Sequence, residues 1–480
     1  MNLEPALNPR PHWAELLGDV TRYAIDFLEH LPERDVSGPV DADGLRAALG
    51  GPLPAVGGEP RTVVRQLAAA VAPGLVSSTS GRYFGYVFGG ALPVAVAADW
   101  LTTVWDQCAL LYAASPAAAV TEEVCGQWLV DLLGLPSHAS VGFVTGCQAA
   151  NFTALAAARH HVLADHGWDV EARGLCGAPV PRVLVSASCH ASVGRALRLL
   201  GLGGQIRQVP CEPSGRMRLD AFRAALGDTR GPLIACLEVG DTDAGQIDPI
   251  APVADLVHRY GGWLHLDAAF GMWAAASPRY RDLVAGLDRA DSWATDAHKL
   301  LNVPYDSGIV FCAHPDAHGA ALRIGAEYLG RDGGERDPVD WVPEVSRRAR
   351  AFVLWATLRA LGRSGVAAIV EHACEHASRL GALLAAADGV EIRNEVVLNQ
   401  VLVSFRDPYG RDDDLHTRRV VELFQADGRC WGSGTTWQGR AALRLSVCNW
   451  STTDDDIDTC VASVLTAHHR AALAGDRVLL

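Results

Sequence analysis

The sequence predicts an α/β protein built around a largely parallel sheet that is buried on both faces. Between about residues 140 and 313, short apolar runs alternate with helical segments such as 148–165 and 250–260. The runs read SVGFVT, RVLVSAS, PLIACLEV, WLHLD and GIVFCA. Nearly continuous apolar strands separated by helices are typical of parallel sheets that helices cover on both sides.

The segments that flank this region follow other patterns. The first hundred residues are helical in pattern but broken by SGPVDADG and GGPLPAVGGEP, which indicate turns. A long helix is predicted from about Pro343 to Leu361, and strands near QVLVSFR and AALRLSVCN follow it among further helices. We therefore expect a helical arm (1–100), a large α/β domain (101–360) and a small α+β domain (361–480).

Composition narrows the function. The 480 residues are 49% hydrophobic and carry a net charge of −14, which argues against a nucleic-acid or membrane partner and favours small-molecule chemistry. The start of the sequence lacks the pattern of a signal peptide, and no apolar run approaches the ~20 residues of a membrane span, so we expect a cytoplasmic protein. Twelve scattered cysteines without a CxxC pair are expected to be reduced thiols, and no metal site is expected.

Four points along the α/β region suit one ligand. In FVTGCQAANFTALAAAR a strand ends near Thr145, and a helix opens at about Gln148 after Gly146, which creates a site for an anion such as phosphate. His190 and Asp267 each follow a strand at the edge where open α/β sheets bind ligands. Each of these features alone also fits an ordinary turn or a helix cap.

Lys299 is the fourth point, in SWATDAHKLLNVPYDSGIVF. It lies between two runs that otherwise indicate buried strands, where an ammonium is expected only if it is paired, desolvated or chemically used. A phosphate site, a flat imidazole, a carboxylate for a pyridine nitrogen and a lysine for a Schiff base are the parts that pyridoxal phosphate requires.

The order and the residues of these motifs resemble those of the group II pyridoxal-phosphate decarboxylases, the family of aromatic-L-amino-acid, tyrosine, histidine and glutamate decarboxylases. The resemblance extends from GRYFGYVFGGALPVAVAADWL through SPAAAVTEEV and DAHKLLNVPYDSG to SRRARAFVLWATLRALGRSGV and ALRLSVCNW. It implies a fold-type-I enzyme with an aspartate aminotransferase-like large domain. It also implies a homodimer with active sites at the subunit interface.

The resemblance also implies roles for individual residues. Lys299 forms the Schiff base, Asp267 partners the pyridine nitrogen, and His190 stacks on the ring. The residues expected to complete the cofactor site are Cys147, Gln148 and His298 at the phosphate, Ala269 at the opposite ring face, and Thr242 nearby. Three positions depart from the usual family pattern, namely Leu300 after the lysine, Asp241 and Cys147, but none of them removes a catalytic group.

Two further residues match family positions that govern the reaction. Tyr328, in GAEYLGRDGG, matches a mobile-loop tyrosine to which the return of the proton to Cα is attributed, and Arg347 matches an arginine near the site. An exposed tyrosine and a basic helix face are the ordinary alternatives. The expected reaction is decarboxylation of an L-amino acid to the amine and CO2.

The substrate is predicted from one aromatic cluster. The residues expected to shape the side-chain pocket are Tyr83, Phe84, Tyr86, Phe88 and Trp105. They favour an aromatic or apolar substrate, although core packing explains them equally well. Asp106 leaves open the possibility that the substrate is a diamino acid. The alternatives are an aldehyde synthase on the same fold, a diamino acid decarboxylase and a relative that binds the cofactor without catalysis.

Overall fold

A seven-stranded sheet forms the centre of this computed structural model, which describes residues 12–38, 40–227, 231–325 and 334–476. The strands are β1 (Ser140–Val144), β2 (Arg182–Ser186), β3 (Ile206–Val209), β4 (Leu233–Glu238), β5 (Trp263–Asp267), β6 (Ser292–Asp296) and β7 (Gly308–Cys312). Their order is β1-β7-β6-β5-β4-β2-β3. Only β7 runs antiparallel to its neighbours in this sheet, so the prediction of a largely parallel sheet is confirmed.

Helices bury both faces of this sheet. They are α5 (Pro116–Leu132), α6 (Cys147–Ala164), α7 (Val170–Arg173), α8 (Ala191–Leu199), α9 (Leu219–Leu226), α10 (Ile250–Arg259) and α11 (Pro315–Leu322). Alternate residues of β2 pack into different clusters, with Val183 and Val185 on one face and Leu184 on the other. This double burial explains why the strands are apolar throughout rather than alternating.

A second sheet of four strands forms the small domain. Its strands are β8 (Val390–Ile392), β9 (Gln400–Phe405), β10 (Ser433–Trp437) and β11 (Arg440–Ser446), in the order β10-β11-β9-β8, all antiparallel. Two helices, α13 (Asp413–Asp427) and α14 (Asp454–Asp476), complete this domain. The segment before residue 93 also contributes, because Phe84 lies in the same apolar core.

The long helix α12 (Ala351–Ala385) differs from the prediction at both ends. It begins after residue 343 and continues past Leu361, through a non-helical Gly362 at φ 60°, because the apolar pattern resumes on the far side of that glycine. By length and composition α12 could cross a membrane. Its apolar side chains pack instead into the two cores, as Leu354 does in the large domain and Leu380 in the small one.

Four helices precede the central sheet. They are α1 (Trp13–Glu29), α2 (Ala42–Leu49), α3 (Pro60–Val71) and α4 (Pro93–Trp105). The expected domain boundaries at residues 100 and 360 both fall inside helices, so the exact division into arm, large domain and small domain stays a prediction. The chain from 84 to 92 connects both domains, because Phe84 exchanges backbone hydrogen bonds with Trp431 and Ser446, while the Leu92 N–H donates to Asn302.

Candidate active site

The predicted site residues gather where parallel strands of the large sheet end. Asp267 is the last residue of β5, and Lys299 follows the end of β6 by three residues. His190 follows β2 and caps α8, while Gly146 joins β1 to α6. The carboxyl ends of parallel strands meet at one edge of a sheet, which is why residues so distant along the chain lie together.

The Lys299 amine is paired with a carboxylate that the sequence reading did not single out. Its Nζ lies 3.2 Å from Oδ2 of Asp296, the last residue of β6. Burial opposes the ammonium, but the charges of Asp296 and Asp267 outweigh it and raise the pKa of Lys299. The neighbouring His298 is buried, which lowers its pKa, and its Nδ1 accepts the Ser307 N–H at 3.2 Å.

Asp267 is buried and accepts three side-chain hydrogen bonds. Its Oδ2 accepts from Asn151 Nδ2 at 2.8 Å and from Ser192 Oγ at 3.3 Å. Its Oδ1 accepts only the Cys147 thiol, a weak donor at 3.2 Å, among the described residues. Oδ1 therefore keeps acceptor capacity for a further donor.

The turn between β1 and α6 brings backbone close to the lysine segment. Gly146 precedes the helix and has no side chain to cap it, and the Cys147 N–H donates to Oδ1 of Asp296 at 2.6 Å. A Cβ at Gly308 would lie 2.4 Å from Gly146, so β7 approaches this turn as closely as glycine permits. A helix N-terminus is suited to an anion, and here the Asp296 carboxylate already accepts one of its N–H groups.

The side chains of Cys147 and Gln148, two of the three predicted phosphate residues, bind other groups of the protein. The Cys147 thiol donates to Asp267, and its pKa is raised by burial and by the nearby carboxylates. Gln148 Nε2 donates to the backbone oxygen of Ser192 at 3.2 Å, which ties α6 to the His190 segment. Any contact of these two residues with phosphate would therefore use the backbone.

His190 is an exposed residue whose backbone and ring each contact a neighbouring side chain. Its N–H donates to Oε1 of Glu238 at 2.9 Å, and its ring Nδ1 lies 2.7 Å from Ser192 Oγ. Glu238 is the last residue of β4 and pairs in register with Asp267. Burial and the Asp267 charge raise the pKa of this glutamate.

Two other predicted cofactor residues lie at the same edge of the sheet. Ala269 is half-buried two residues after Asp267, and its oxygen accepts the Asp296 N–H at 2.9 Å. Thr242 lies in the loop after β4, where its backbone oxygen accepts from Arg444 at 3.3 Å.

A row of aromatic rings leads away from His298, and we call Tyr83, Phe88, Tyr305 and Trp431 the aromatic row. His298 and Tyr305 have ring centroids 4.4 Å apart, and Tyr305 meets Phe88 edge-on at 5.7 Å. Phe88 stacks on Tyr83 at 5.7 Å, and Tyr83 stacks on Trp431 at 5.2 Å. The row gives the site an apolar wall to which the N-terminal segment and the small domain both contribute.

Three other predicted pocket residues are placed differently. Tyr86 is exposed beside the row, 5.1 Å from Trp431. Phe84 is fully buried in the small-domain core, so the prediction that it lines the pocket is wrong. Trp105 lies apart from the row, because its ring packs edge-on against Phe352 in an apolar hollow between α4 and α12, and its role in the pocket stays a prediction.

Arg347 corrects another expectation. Its side chain has no exposed surface, and Nη1 lies 2.6 Å from Oε1 of Glu122. The same guanidinium donates to the backbone oxygens of Ala109 at 2.9 Å and Phe143 at 2.5 Å. A buried arginine with these partners holds α5, β1 and the chain before α12 together, and it does not face a substrate.

Sequence reasoning missed two buried asparagines. Asn151 bonds to Asp267, and Asn302 sits in the turn after Lys299 at φ 56°. The sequence signal for Asn302 is an asparagine that directly follows a leucine inside an apolar run. Such an asparagine can mark a turn, since asparagine tolerates a left-handed backbone better than most residues. Tyr328 lies outside the described residues, so its predicted place stays a prediction.

The donor set fits pyridoxal phosphate. Lys299 supplies an amine for its aldehyde, and Asp267 offers a carboxylate oxygen with spare acceptor capacity for its ring nitrogen. His190, an exposed residue, offers an imidazole for a ring face, and Gly146 leads into a helix N-terminus that suits a phosphate. Each part of the cofactor thus has a group of matching chemistry at this edge of the sheet.

Comparison with known proteins agrees with this assignment. Residues 53–407 match the pyridoxal-dependent decarboxylase conserved domain. The chain is 28% identical over 448 residues to an aromatic-L-amino-acid decarboxylase of Bacillus atrophaeus, covering 90% of each chain. It is 30% identical over 399 residues to an L-2,4-diaminobutyrate decarboxylase of Rhizobium meliloti, covering 78% of this chain and 77% of the other.

The fold matches as well. A crystal structure of Oryza sativa TDC with PLP and tryptamine superposes with a TM-score of 0.88 at 22% identity, covering 97% of this chain and 99% of that one. The expected fold class, cofactor and reaction type are therefore confirmed. The chain belongs to the pyridoxal-dependent decarboxylase family and is a pyridoxal-phosphate-dependent amino acid decarboxylase.

Proposed function

We propose that the chain decarboxylates an L-amino acid with an aromatic or apolar side chain to its amine and CO2. The observation that carries this proposal is the aromatic row, which begins 4.4 Å from the ring of His298, next to Lys299. Flat apolar walls favour flat or apolar side chains, since aromatic pairs stabilise each other beyond the area they bury. The relatedness to an aromatic-L-amino-acid decarboxylase supports the same choice.

The charges near the row disfavour other substrate classes. Asp306, beside Tyr305, is already engaged by Arg350 at 2.7 Å, so its carboxylate is neutralised rather than open to a second ammonium. Asp106, which left a diamino acid open, is an exposed residue at the end of α4 beside Trp105, away from the row.

Each residue of the site has a proposed task. When bound, pyridoxal phosphate supplies the electron sink that accepts the pair left behind by CO2. Lys299 contributes the amine that holds the cofactor aldehyde, and Asp267 keeps a proton on the pyridine nitrogen. His190 lies against one ring face, and Ala269 leaves space at the other.

The phosphate and the product proton have their own groups. We assign the phosphate to the N-terminus of α6, through the backbone at Gln148 and, if phosphate displaces Asp296, the N–H of Cys147, together with His298. Thr242 borders the cofactor from the loop after β4. Tyr328 is proposed to return the proton to Cα, because it matches the loop tyrosine to which this step is attributed in the family and its phenol carries a transferable proton.

A substrate panel tests the proposal. The enzyme loaded with pyridoxal phosphate is incubated with L-tryptophan, L-tyrosine, L-phenylalanine, L-leucine, L-glutamate and L-2,4-diaminobutyrate, while released CO2 and product mass are measured. We expect an aromatic or apolar substrate to give the highest kcat/KM and to yield the amine. Faster turnover of glutamate or diaminobutyrate contradicts the substrate class, and an aldehyde formed with oxygen uptake makes the chain an aldehyde synthase.

Phe88→Ala shows whether the aromatic row carries the preference. The ratio of kcat/KM for the best aromatic substrate to that for L-leucine should fall at least about tenfold, since burial of an aromatic ring is worth about 1.5–3 kcal/mol. A loss of folding lowers both values equally and leaves the ratio unchanged. Phe27→Ala, a half-buried phenylalanine on α1, is the matched control.

We also propose a homodimer whose interface includes the apolar face formed by α4 and α12. The face comprises Trp100, Leu101, Val104, Trp105 and Trp355, with exposed fractions of 40 to 65%. Contiguous apolar surface of this kind typically marks a protein interface. A second copy of the chain is the proposed occupant, in keeping with the homodimer that the sequence resemblance implies.

Sedimentation velocity tests the dimer. Val104→Asp should shift the protein toward the monomer, because it places a charge in the apolar face. Leu53→Asp, at a leucine already 95% exposed, should leave the dimer intact. A parent that sediments as a monomer at micromolar concentration contradicts the proposal.

The cytoplasm is the proposed location. All twelve cysteines are free in the structure, including eight that are buried, which suits a reducing compartment. Fractionation of the native host followed by immunodetection tests this location.

A further inference from the structure

A string of buried side chains runs behind Asp267, and we call Trp263, Ser292, His265 and Asn151 the buried relay. Trp263 Nε1 lies 2.8 Å from Ser292 Oγ, which lies 2.9 Å from His265 Nδ1. His265 Nε2 lies 2.9 Å from Asn151 Oδ1, and Asn151 Nδ2 lies 2.8 Å from Oδ2 of Asp267. All four residues of the relay are fully buried.

The strand geometry explains how the relay is assembled. Trp263, His265 and Asp267 occupy alternate positions of β5, so their side chains share one face of the sheet. Ser292 begins the neighbouring strand and pairs in register with His265. Asn151 comes from α6, which packs on this face.

The carboxylate at the near end determines the direction of the hydrogen bonds. A carboxylate can only accept, so the NH2 of Asn151 faces Asp267 and its Oδ1 accepts from Nε2 of His265. With the proton of the neutral imidazole on Nε2, Nδ1 accepts from Ser292 Oγ, and that hydroxyl accepts the Trp263 indole N–H, which can only donate.

The environment of the imidazole agrees with this arrangement. Burial lowers the pKa of His265 to about 4, although the Asp267 charge opposes the shift. Three groups face the ring from the strands and from α6, namely Asp267, Ser292 and Asn151. A neutral imidazole is thus maintained at physiological pH.

We propose that Asn151 and His265 are positioning residues, which fix the orientation of the Asp267 carboxylate so that its free oxygen can pair with the protonated pyridine nitrogen of the cofactor. The inference rests on the proposed role of Asp267 in the reaction. An amide donates a hydrogen bond but does not give up its proton, so Asn151 occupies Oδ2 without neutralising it. His265 prevents the amide from flipping, because the NH2 of a flipped Asn151 would face the Nε2–H of His265, and its oxygen would face the carboxylate.

Two forms of the cofactor separate this role from a purely structural one. The dissociation constants of the apoenzyme are measured for pyridoxal 5'-phosphate and for its 1-deaza analogue, in which CH replaces the ring nitrogen. The parent should bind the natural cofactor at least about tenfold more tightly, since only a ring nitrogen can form the charge-assisted bond with Asp267. The ratio of the two constants reports this one contact and is insensitive to general loss of affinity.

The variants follow from the relay. His265→Phe and Asn151→Ala should each reduce the ratio at least about fivefold, whereas His265→Gln, which keeps an N–H for Asn151, should remain within about threefold of the parent. His318→Phe is the matched control, because His318 is also fully buried, with its ring nitrogens 2.8 Å from Ser140 Oγ and 3.0 Å from the Trp341 oxygen. It should leave the ratio unchanged.

The possible outcomes are distinct. An unchanged ratio in His265→Phe and Asn151→Ala, with a discriminating parent, overturns the relay and leaves the role of Asp267 intact. A parent that binds both forms equally overturns the role of Asp267 and the inference with it. If His265→Phe does not fold, Asn151→Ala alone decides, because it introduces no bulk into the core.

Discussion

Asn302 is expected to be a main determinant of stability around the lysine turn. Its Oδ1 accepts the N–H groups of Gly90 at 2.6 Å and Trp450 at 3.0 Å. Its Nδ2 donates to the oxygens of Leu300 at 2.7 Å and Cys448 at 3.0 Å. One buried amide thus joins the N-terminal segment, the turn after the lysine and the end of the small-domain sheet.

The magnitude follows from these four contacts. Each buried hydrogen bond contributes about 1 kcal/mol net, so Asn302→Ala should cost about 4 kcal/mol. The backbone at φ 56° adds about 1 kcal/mol, because alanine disfavours the left-handed region. With an unfolding entropy of about 2.1 cal/mol/K per residue, a chain of 480 residues that unfolds as one unit should lose about 5 °C in Tm.

Scanning calorimetry of the apoenzyme measures this shift, and Gln438→Ala is its matched control. Gln438 has a similar backbone, at φ 49°, but it is exposed and makes one side-chain hydrogen bond, to Pro213. Asn302→Gly should melt above Asn302→Ala, because glycine adopts this conformation without strain. If Asn302→Ala melts within about 1 °C of Gln438→Ala, the Asn302 amide does not stabilise the contact between these three segments.

The remaining predictions concern the reaction and the buried ion pair. Lys299→Ala should abolish turnover and prevent borohydride from fixing the cofactor to the protein, while reversible cofactor binding survives in equilibrium dialysis; near-normal turnover would exclude the Schiff-base role. Asp267→Asn should lower kcat by several orders of magnitude, and a loss below about tenfold would make it a turn cap. Arg347→Met should cost at most about 3–5 kcal/mol in urea unfolding, because Glu122 loses its 2.6 Å partner and keeps only Arg336 at 3.3 Å, with substrate selectivity unchanged; a selectivity change would restore the place of Arg347 in the pocket. Tyr328→Phe should still release CO2 but yield aldehyde and peroxide instead of amine, and amine at the parental rate would exclude it as the proton donor.

The sheet was predictable from the sequence because burial on both faces makes its strands apolar along their whole length. WLHLD and GIVFCA were placed nearly to the residue, as β5 and β7. The start of the long helix was less predictable, since residues 343–350 carry the same mixture of polar and apolar residues as a helix end. The helix begins at Ala351 because of tertiary contacts, which the local sequence pattern cannot indicate.

The common location of the predicted cofactor residues could be foreseen because they lie at strand ends, and parallel strands end at one edge, while their roles stay predictions. The aromatic cluster was only partly predictable. Tyr83 and Phe84 are adjacent in sequence, yet the first stacks in the row and the second lies in the small-domain core, since neighbours on extended backbone point to opposite sides. The prediction that Arg347 lies in the pocket was wrong for a different reason. Its partner Glu122 is 225 residues away, and no local signal indicates such a pair.

The two missed asparagines share a physical property that explains why the site uses them. Asn151 and Asn302 are fully buried and join segments far apart in the chain, one behind Asp267 and one behind Lys299. An amide donates and accepts hydrogen bonds without titrating, so the geometry it holds does not change when a neighbouring group gains or loses a proton. A charged clamp in either place would add its own field to a site whose chemistry requires Lys299 to change protonation state. A search of the sequence for reactive residues identifies the lysine and the aspartate, and it passes over the neutral amides because their contribution arises only once the chain has folded.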